Sequence, residues 1–175
     1  FPVHIVSLLK MINKEIFHET GKTFLENAIG KSIFYSEKWK GLTLAEDSGL
    51  EIKHLEGSPG ILSARFSGPQ STDKKNTQKV LKLMKNVPRE ERKARFVSCM
   101  VLSQKGKIIK EITATVDGFI SFHEKGSFGF GYDPIFFYPP LGKTFAELSS
   151  GEKNKVSHRG KALKKMKGFL KEYLS

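Results

Sequence analysis

The chain has 175 residues, of which 38% are hydrophobic and 27% are charged, and its formal net charge is +12. This composition excludes a disordered or low-complexity protein, and the length suits one globular domain over residues 1–175. No apolar run approaches the roughly 20 residues of a membrane helix, and the opening residues lack the basic region and cleavage site of a signal peptide, so we expect a cytoplasmic protein with no membrane partner.

The first half of the chain alternates short strands with helices. Residues 3–8 predict a strand, and residues 23–38 predict a helix whose start is marked by the capping-box spacing of Thr23 and Glu26. Residues 42–45 predict a second strand that ends at the acidic pair Glu46-Asp47. Ligands of open α/β sheets bind at such strand ends. A polar loop then leads to a helix over residues 73–86.

The second half begins with two long β-rich segments. Residues 94–102 and 108–122 predict strands joined by a hairpin at 104–107, and the single Cys99 lies in the first of them, as a core residue. A glycine- and aromatic-rich loop, a short strand at 134–138, a turn and a final amphipathic helix over 157–174 follow. Strands mixed with helices predict one α/β domain.

Acidic and basic side chains near the second strand are suited to triphosphate chemistry, which needs a hard cation held by carboxylates and further cations for the phosphates. Neighbouring strand residues point to opposite faces, so one of Glu46 and Asp47 could take a metal while the other supports the site. A turn with solvated charges is the alternative. Lys31 is either a phosphate ligand or a surface lysine, and Glu26 has a structural explanation as a cap.

The second half holds candidates for binding a nucleotide. Ser157 is a plausible N-cap before His158 and Arg159, at a helix N-terminus that attracts anions, although a solvated pair is the alternative. Phe130 and Tyr132 lie among glycines, which leave a ring free to stack on a base, with tight-turn packing as the alternative. The lysines of the predicted helices are either solvated faces or a surface for nucleic acid.

Seven motifs in chain order resemble the inosine triphosphate pyrophosphatase family. Each is weak alone, but together they run from Glu19 to the end of the chain. The motifs are ETGKTFLENA at 19–28, AEDSGL at 45–50, PGILSARF at 59–66, GFGYDP at 129–134, KTFAEL at 143–148, EKN at 152–154 and SHR at 157–159.

The resemblance implies an elongated mixed β-sheet with flanking helices, two lobes around a nucleotide-binding cleft, and a homodimer. The implied activity is Mg²⁺-dependent hydrolysis of non-canonical purine triphosphates (ITP, dITP and XTP) to the monophosphate and pyrophosphate. By position, Asp47 and Glu46 resemble the catalytic carboxylates, and Glu19 and Asp47 resemble the metal ligands.

The resemblance also implies how substrate is bound. Ser48 and Lys31 would hold phosphates, and Phe130 would stack on the purine. The groups near or at the base edge would be Gly131, Tyr132, Asp133, Lys153, His158 and Arg159. Cationic donors suit the O6 of hypoxanthine and xanthine, whereas adenine's amine would face donors without a partner.

One family feature has no match in this chain. Family members begin with a strand and a Thr-Gly-Asn-x-x-Lys loop that grips the triphosphate, and Asn13-Lys14 lacks that context. We expect a chain truncated at its start or a degenerate member, with an unpaired sheet edge. Two alternatives to the enzyme follow: a nucleotide-binding relative with impaired catalysis, and a basic nucleic-acid-binding module. The enzyme hypothesis predicts no stable nucleic-acid partner, and the acidic strand end favours it.

Overall fold

The computed structural model describes residues 4–7 and 15–175, in which helices flank one β-sheet. The helices are α1 (Phe24–Ser36), α2 (Asp73–Leu83), α3 (Ser150–Val156) and α4 (His158–Tyr173). The strands are β1 (Thr43–Ile52), β2 (Lys93–Gln104), β3 (Lys107–Ile120), β4 (Phe136–Tyr138) and β5 (Lys143–Thr144). Within the described residues, no helix has the length and apolar character needed to cross a membrane.

The strands follow chain order across the sheet, and each neighbouring pair is antiparallel. The long pair β2 and β3 is joined by Lys105 and Gly106, whose φ angles of 50° and 74° suit the two-residue turn that matches strand twist. The α/β class with flanking helices is confirmed, as is the hairpin. Where a mixed sheet was expected, the described pairings are antiparallel throughout.

β1 corrects the predicted position of the acidic pair. The strand extends to Ile52, so Glu46 and Asp47 lie within it and not at the carboxyl end of a short strand. Pairing with β2 is continuous from Thr43 opposite Ser103 to Ile52 opposite Ala94. These hydrogen bonds carry the strand through residues whose own preference is for a turn. Glu46 and Asp47 therefore point to opposite faces of the sheet.

Helices cover both faces of the long hairpin. On one face α1 packs Phe24 and Ala28 against β2, and Cys99 is buried there, as predicted. On the other face α4 packs Ala162 and Met166 against β2 and β3. A third cluster connects α2 with the far ends of the strands and with the segment around β4. The two sheet faces thus bring α1 and α4 to opposite sides of β1.

Several element boundaries differ from the predicted ones. Residues 4–7 have no regular secondary structure, and the other residues of the strand predicted at 3–8 lie outside the described ranges, as does Asn13-Lys14. Thr23 caps α1 as predicted by accepting a hydrogen bond from the Glu26 N–H (3.1 Å), but the Glu26 carboxylate accepts from Lys22 N–H. The short elements α3 and β5 were not predicted.

Candidate active site

Three charged side chains predicted from the sequence meet on the α1 face of β1. The Lys31 ammonium lies 2.8 Å from Glu19 Oε1 and 3.2 Å from Asp47 Oδ1. Asn27, one turn earlier on α1, donates to Asp47 Oδ2 at 3.1 Å. Residues four apart lie on the same side of a helix, so α1 presents both donors to the one carboxylate. Glu19, Lys31 and Asp47 are thus brought together.

Opposing influences act on the pKa of the half-buried Asp47. Burial raises the pKa of Asp47 above its ordinary value, while the charge of Lys31 and the hydrogen bond from Asn27 offset part of that rise. The nearby Glu19 carboxylate adds to the rise. A further cation at this position would therefore be favoured, because it would stabilise both carboxylates.

The carboxylates of Glu19 and Asp47 fit a magnesium ion shared with substrate. Both reach the same ammonium, so their oxygens converge on one cation position. Mg²⁺ is usually held by one or two carboxylates together with waters and substrate phosphates. Among residues 4–7 and 15–175, no group of three or more acidic, histidine or cysteine side chains forms a complete cage. A two-carboxylate site completed by phosphates is the arrangement these residues suit.

Glu46 lies on the other face of β1 and contacts different partners. Arg159 Nε donates to both Glu46 oxygens, at 2.8 and 3.0 Å, and Arg159 Nη2 donates to Ser48 Oγ at 3.2 Å. The buried Ser98 hydroxyl donates to Glu46 Oε1 at 2.8 Å. The opposite orientation of Glu46 and Asp47 agrees with strand alternation, and it makes Glu46 a partner of Arg159 at the start of α4.

An exposed aromatic ring with two nearby cations lies next to Arg159. The side chain of Phe130 is 57% exposed, and the Lys153 ammonium lies 4.5 Å from its ring centroid. The Arg159 guanidinium lies 5.1 Å from the same centroid. The structure therefore brings together Phe130, Lys153 and Arg159, with ring surface left for a ligand to stack on.

Asp133 lies beneath this loop and does not face an open cleft. It is 2% exposed, accepts the Phe130 N–H at 2.9 Å and forms an ion pair with Lys153. A Cβ at Gly129 would lie 2.0 Å from its carboxylate, so the loop can approach Asp133 only with glycine there. Burial directs the Asp133 oxygens to the loop and to Lys153, and a role for Asp133 at the base edge stays a prediction.

Tyr132 does not have the free ring that was one of the two alternatives for it. Its ring is 4% exposed within the core, and its hydroxyl donates to the Ser63 carbonyl at 2.8 Å, so it is not free to stack on a base. Tight-turn packing is the right alternative for this ring. The backbone of Gly131 is also engaged, since its N–H donates to Asp73 at 2.7 Å and its carbonyl accepts from Thr77 at 3.3 Å.

His158 is held inside the protein at the first position of α4. Its ring stacks on Phe96 with centroids 4.6 Å apart, and Nδ1 has no hydrogen-bond partner within the described part of the chain. Burial, with the positive charges of Arg159 and Lys153, lowers the pKa of His158 to about 3. The ring is therefore neutral at pH 7. Ser157 caps this helix through Gly160 N–H (3.1 Å), as predicted.

The sequence patterns did not identify two residues that contact the site carboxylates, Asn27 and Ser98. Asn27 is 1% exposed, and a polar residue between Phe24 and Ala28 on the buried side of a helix was the available signal. Ser98 is fully buried in an apolar strand, where it likewise stands out as a hydroxyl that must find a partner.

Comparison with known proteins relates the chain to one family. The Ham1 family model matches residues 1–169. A dITP/XTP pyrophosphatase of Thermoanaerobacter sp. (strain X514) is 44% identical over 170 residues, covering 97% of this chain and 85% of the relative. A dITP/XTP pyrophosphatase of Bacillus subtilis (strain 168) is 43% identical, covering 95% and 84%.

Solved structures agree with the sequence relatives. The Staphylococcus aureus Ham1 protein superposes with a TM-score of 0.91 at 39% identity, over 97% of this chain and 88% of that one. A nucleoside-triphosphatase, dITP/XTP pyrophosphatase from Mycobacterium abscessus, gives a TM-score of 0.79 at 38% identity, over 94% and 84%.

Proposed function

The chain belongs to the Ham1 family, and on that premise we propose that it hydrolyses the non-canonical purine triphosphates ITP, dITP and XTP to the monophosphate and pyrophosphate. The observation that carries this proposal is that the side chains of residues 46–48 in β1 contact functional groups on both faces of the sheet. Glu46 and Ser48 hold Arg159 beside the exposed Phe130 ring, while Asp47 points to the cluster of Lys31 and Glu19. One short strand segment thus links a base-stacking surface to a set of charged groups suited to phosphates.

Base recognition is assigned to the Phe130 side. The purine stacks on the exposed ring, and Lys153 and Arg159 donate hydrogen bonds to O6. Adenine presents an amine there, so it would leave these donors unpaired, at a cost of about 1–3 kcal/mol. Glu46 and Asp133 act as positioning residues here, since each forms an ion pair with one of the two cations.

Phosphate chemistry is assigned to the Asp47 side. Glu19 and Asp47 would hold Mg²⁺, which neutralises charge on the phosphate oxygens when bound. Lys31 binds phosphate oxygens and stabilises charge that develops on the leaving pyrophosphate. Ser48 faces Arg159 on the opposite side of the strand, and from there it would bind a phosphate oxygen that lies towards the base. Asp47 orients the attacking water and accepts its proton. His158, neutral and stacked on Phe96, supports the start of α4 beneath the base.

The proposal includes a homodimer in the cytoplasm. The family resemblance supports the dimer, and the buried, unpaired thiol of Cys99 fits a reducing compartment. Light scattering coupled to gel filtration measures the oligomeric state directly, and a monomeric mass at assay concentration would remove the dimer from the proposal.

The activity is tested by measuring pyrophosphate release with Mg²⁺ from ITP and XTP against ATP and GTP, with free phosphate followed in parallel. We expect pyrophosphate as the product and kcat/KM higher for ITP than for ATP by at least about tenfold, the effect of roughly 1.4 kcal/mol. Asp47→Asn is expected to abolish turnover with an unchanged circular dichroism spectrum. Binding of ITP without turnover by the wild-type chain would identify an impaired relative, and salt-sensitive nucleic-acid binding alone would identify a basic binding module.

A further inference from the structure

The side-chain amide of Asn27 is buried, and its oxygen and its nitrogen each form a hydrogen bond. Its Oδ1 accepts the Gly21 N–H at 2.8 Å, and its Nδ2 donates to Asp47 Oδ2 at 3.1 Å. Because a backbone N–H can only donate, the amide oxygen must face Gly21. The orientation of the amide is therefore settled by chemistry, and its NH₂ group must point at Asp47.

We infer that Asn27 is a positioning residue that fixes the rotation of the Asp47 carboxylate for hydrolysis. This inference rests on the proposed catalytic role of Asp47. A carboxylate offers about four lone-pair positions over its two oxygens, and Asn27 and Lys31 each use one. The hydrogen bond from Asn27 therefore determines which of the remaining lone-pair positions of Asp47 face water and which face a cation.

Asn27 is the more rigid of the two donors. Its short side chain is 1% exposed and is tied at its far side to the backbone. Lys31 has a long, flexible side chain and divides its ammonium between Asp47 and Glu19. When phosphates draw Lys31 towards them, the Asn27 contact is the one that remains to hold Asp47 in place.

Gly21 donates the backbone hydrogen bond that orients the Asn27 amide. A Cβ at this position would lie 2.6 Å from Asn27 Oδ1 and 2.9 Å from Glu26 Cβ, so a larger residue must displace the amide or the start of α1. Only glycine lets the loop backbone approach closely enough to orient the amide. Gly21→Ala thus disturbs Asp47 without changing any side chain that contacts it.

A purely structural role, in which Asn27 only ties the loop to α1, makes a different prediction for one variant. Asn27→Asp keeps the acceptor for Gly21 N–H but replaces the donor to Asp47 by a second carboxylate oxygen. The added carboxyl group raises the pKa of Asp47 whichever role Asn27 has, so the structural role predicts a pH–rate profile moved to higher pH with a near-normal maximum kcat. The positioning role predicts a maximum kcat, over all pH values, at least as far below wild type as that of Asn27→Ala.

The experiment measures kcat and KM for ITP in Asn27→Asp, Asn27→Ala and Gly21→Ala. The matched control is Ser32→Ala, on the same helix, which loses buried hydrogen bonds to Val101 O and Ser103 Oγ but has no contact with Asp47. We expect kcat to fall by about 10- to 100-fold in both Asn27 variants with KM within about threefold of wild type. Gly21→Ala should lower kcat severalfold, and Ser32→Ala should lower the melting temperature with kcat unchanged.

Each outcome separates this inference from the proposed function. No hydrolysis of ITP by the wild-type chain would overturn the proposed function and the inference with it. An active wild type with an inactive Asp47→Asn variant, but with the maximum kcat of Asn27→Asp over pH within twofold of wild type, would overturn the inference alone. If the Asn27 variants do not fold, Gly21→Ala decides: an unchanged kcat in that variant would refute the positioning role.

Discussion

Removing the ring of Phe130 isolates its contribution to substrate binding. The ring is 57% exposed, so Phe130→Ala leaves no cavity in the core. The hydrogen bond from Phe130 to Asp133 comes from the backbone N–H and survives the substitution. The loop is therefore expected to keep its shape, and any loss of activity reports on contacts that the ring makes with substrate.

The size of the loss follows from the energy of stacking. A base stacked on an aromatic ring contributes about 1–3 kcal/mol, which corresponds to a decrease in kcat/KM of about 5- to 150-fold. Stacking is made equally in the ground state and the transition state, so the effect should appear mainly as a higher KM with little change in kcat. The neighbouring cations Lys153 and Arg159 remain in place to bind O6.

Phe128 is a matched control in the same loop. Its side chain is 59% exposed, close to that of Phe130, so the two alanine variants remove similar rings from similar surroundings. Steady-state kinetics with ITP should show the loss in Phe130→Ala and near-normal kcat/KM in Phe128→Ala. Equal kcat/KM in the two variants, or a value for Phe130→Ala within twofold of wild type, would refute stacking on Phe130.

Two further predictions concern the start of α4. A Cβ at Gly160 would lie 1.8 Å from the Asn154 carbonyl oxygen, whereas one at Gly168 meets nothing within 4 Å. Gly160→Ala should lower the unfolding free energy in urea by about 1–3 kcal/mol through overpacking, while Gly168→Ala should raise it by about 0.5–1 kcal/mol; the same sign for both would contradict this packing. His158 binds a proton in the unfolded chain below its ordinary pKa of 6.5, but in the folded protein only below about 3. The unfolded state thus binds more protons between these values, so the free energy of unfolding should decrease as the pH is lowered from 6.5 towards 3, by up to about 1.4 kcal/mol per pH unit. His158→Phe, which keeps a ring on Phe96, should flatten that slope. An unchanged slope would show that the histidine is not buried as a neutral ring.

Much of the architecture is determined by local patterns in the sequence. Periodicity and capping located α1 and α4, a polar loop marked the start of α2, and the run around Lys105 and Gly106 marked the long hairpin, because these signals depend on neighbours in the chain. Ordered motifs also located the residues that meet at the site. Alternation along a strand was enough to place Glu46 and Asp47 on opposite faces.

The tertiary structure decided what each side chain contacts. Residues 46–48 have turn-like chemistry, and only pairing with β2 makes them part of a long strand. Tyr132 and Phe130 are equivalent in the sequence, yet packing against Ser63 buries one ring and leaves the other exposed. Asp133 became a partner of Lys153 for the same reason, since burial of a charge requires a nearby opposite charge. Contacts between residues far apart in the chain, such as Arg159 with Glu46, depend on how the sheet and helices assemble, and no local pattern specifies them.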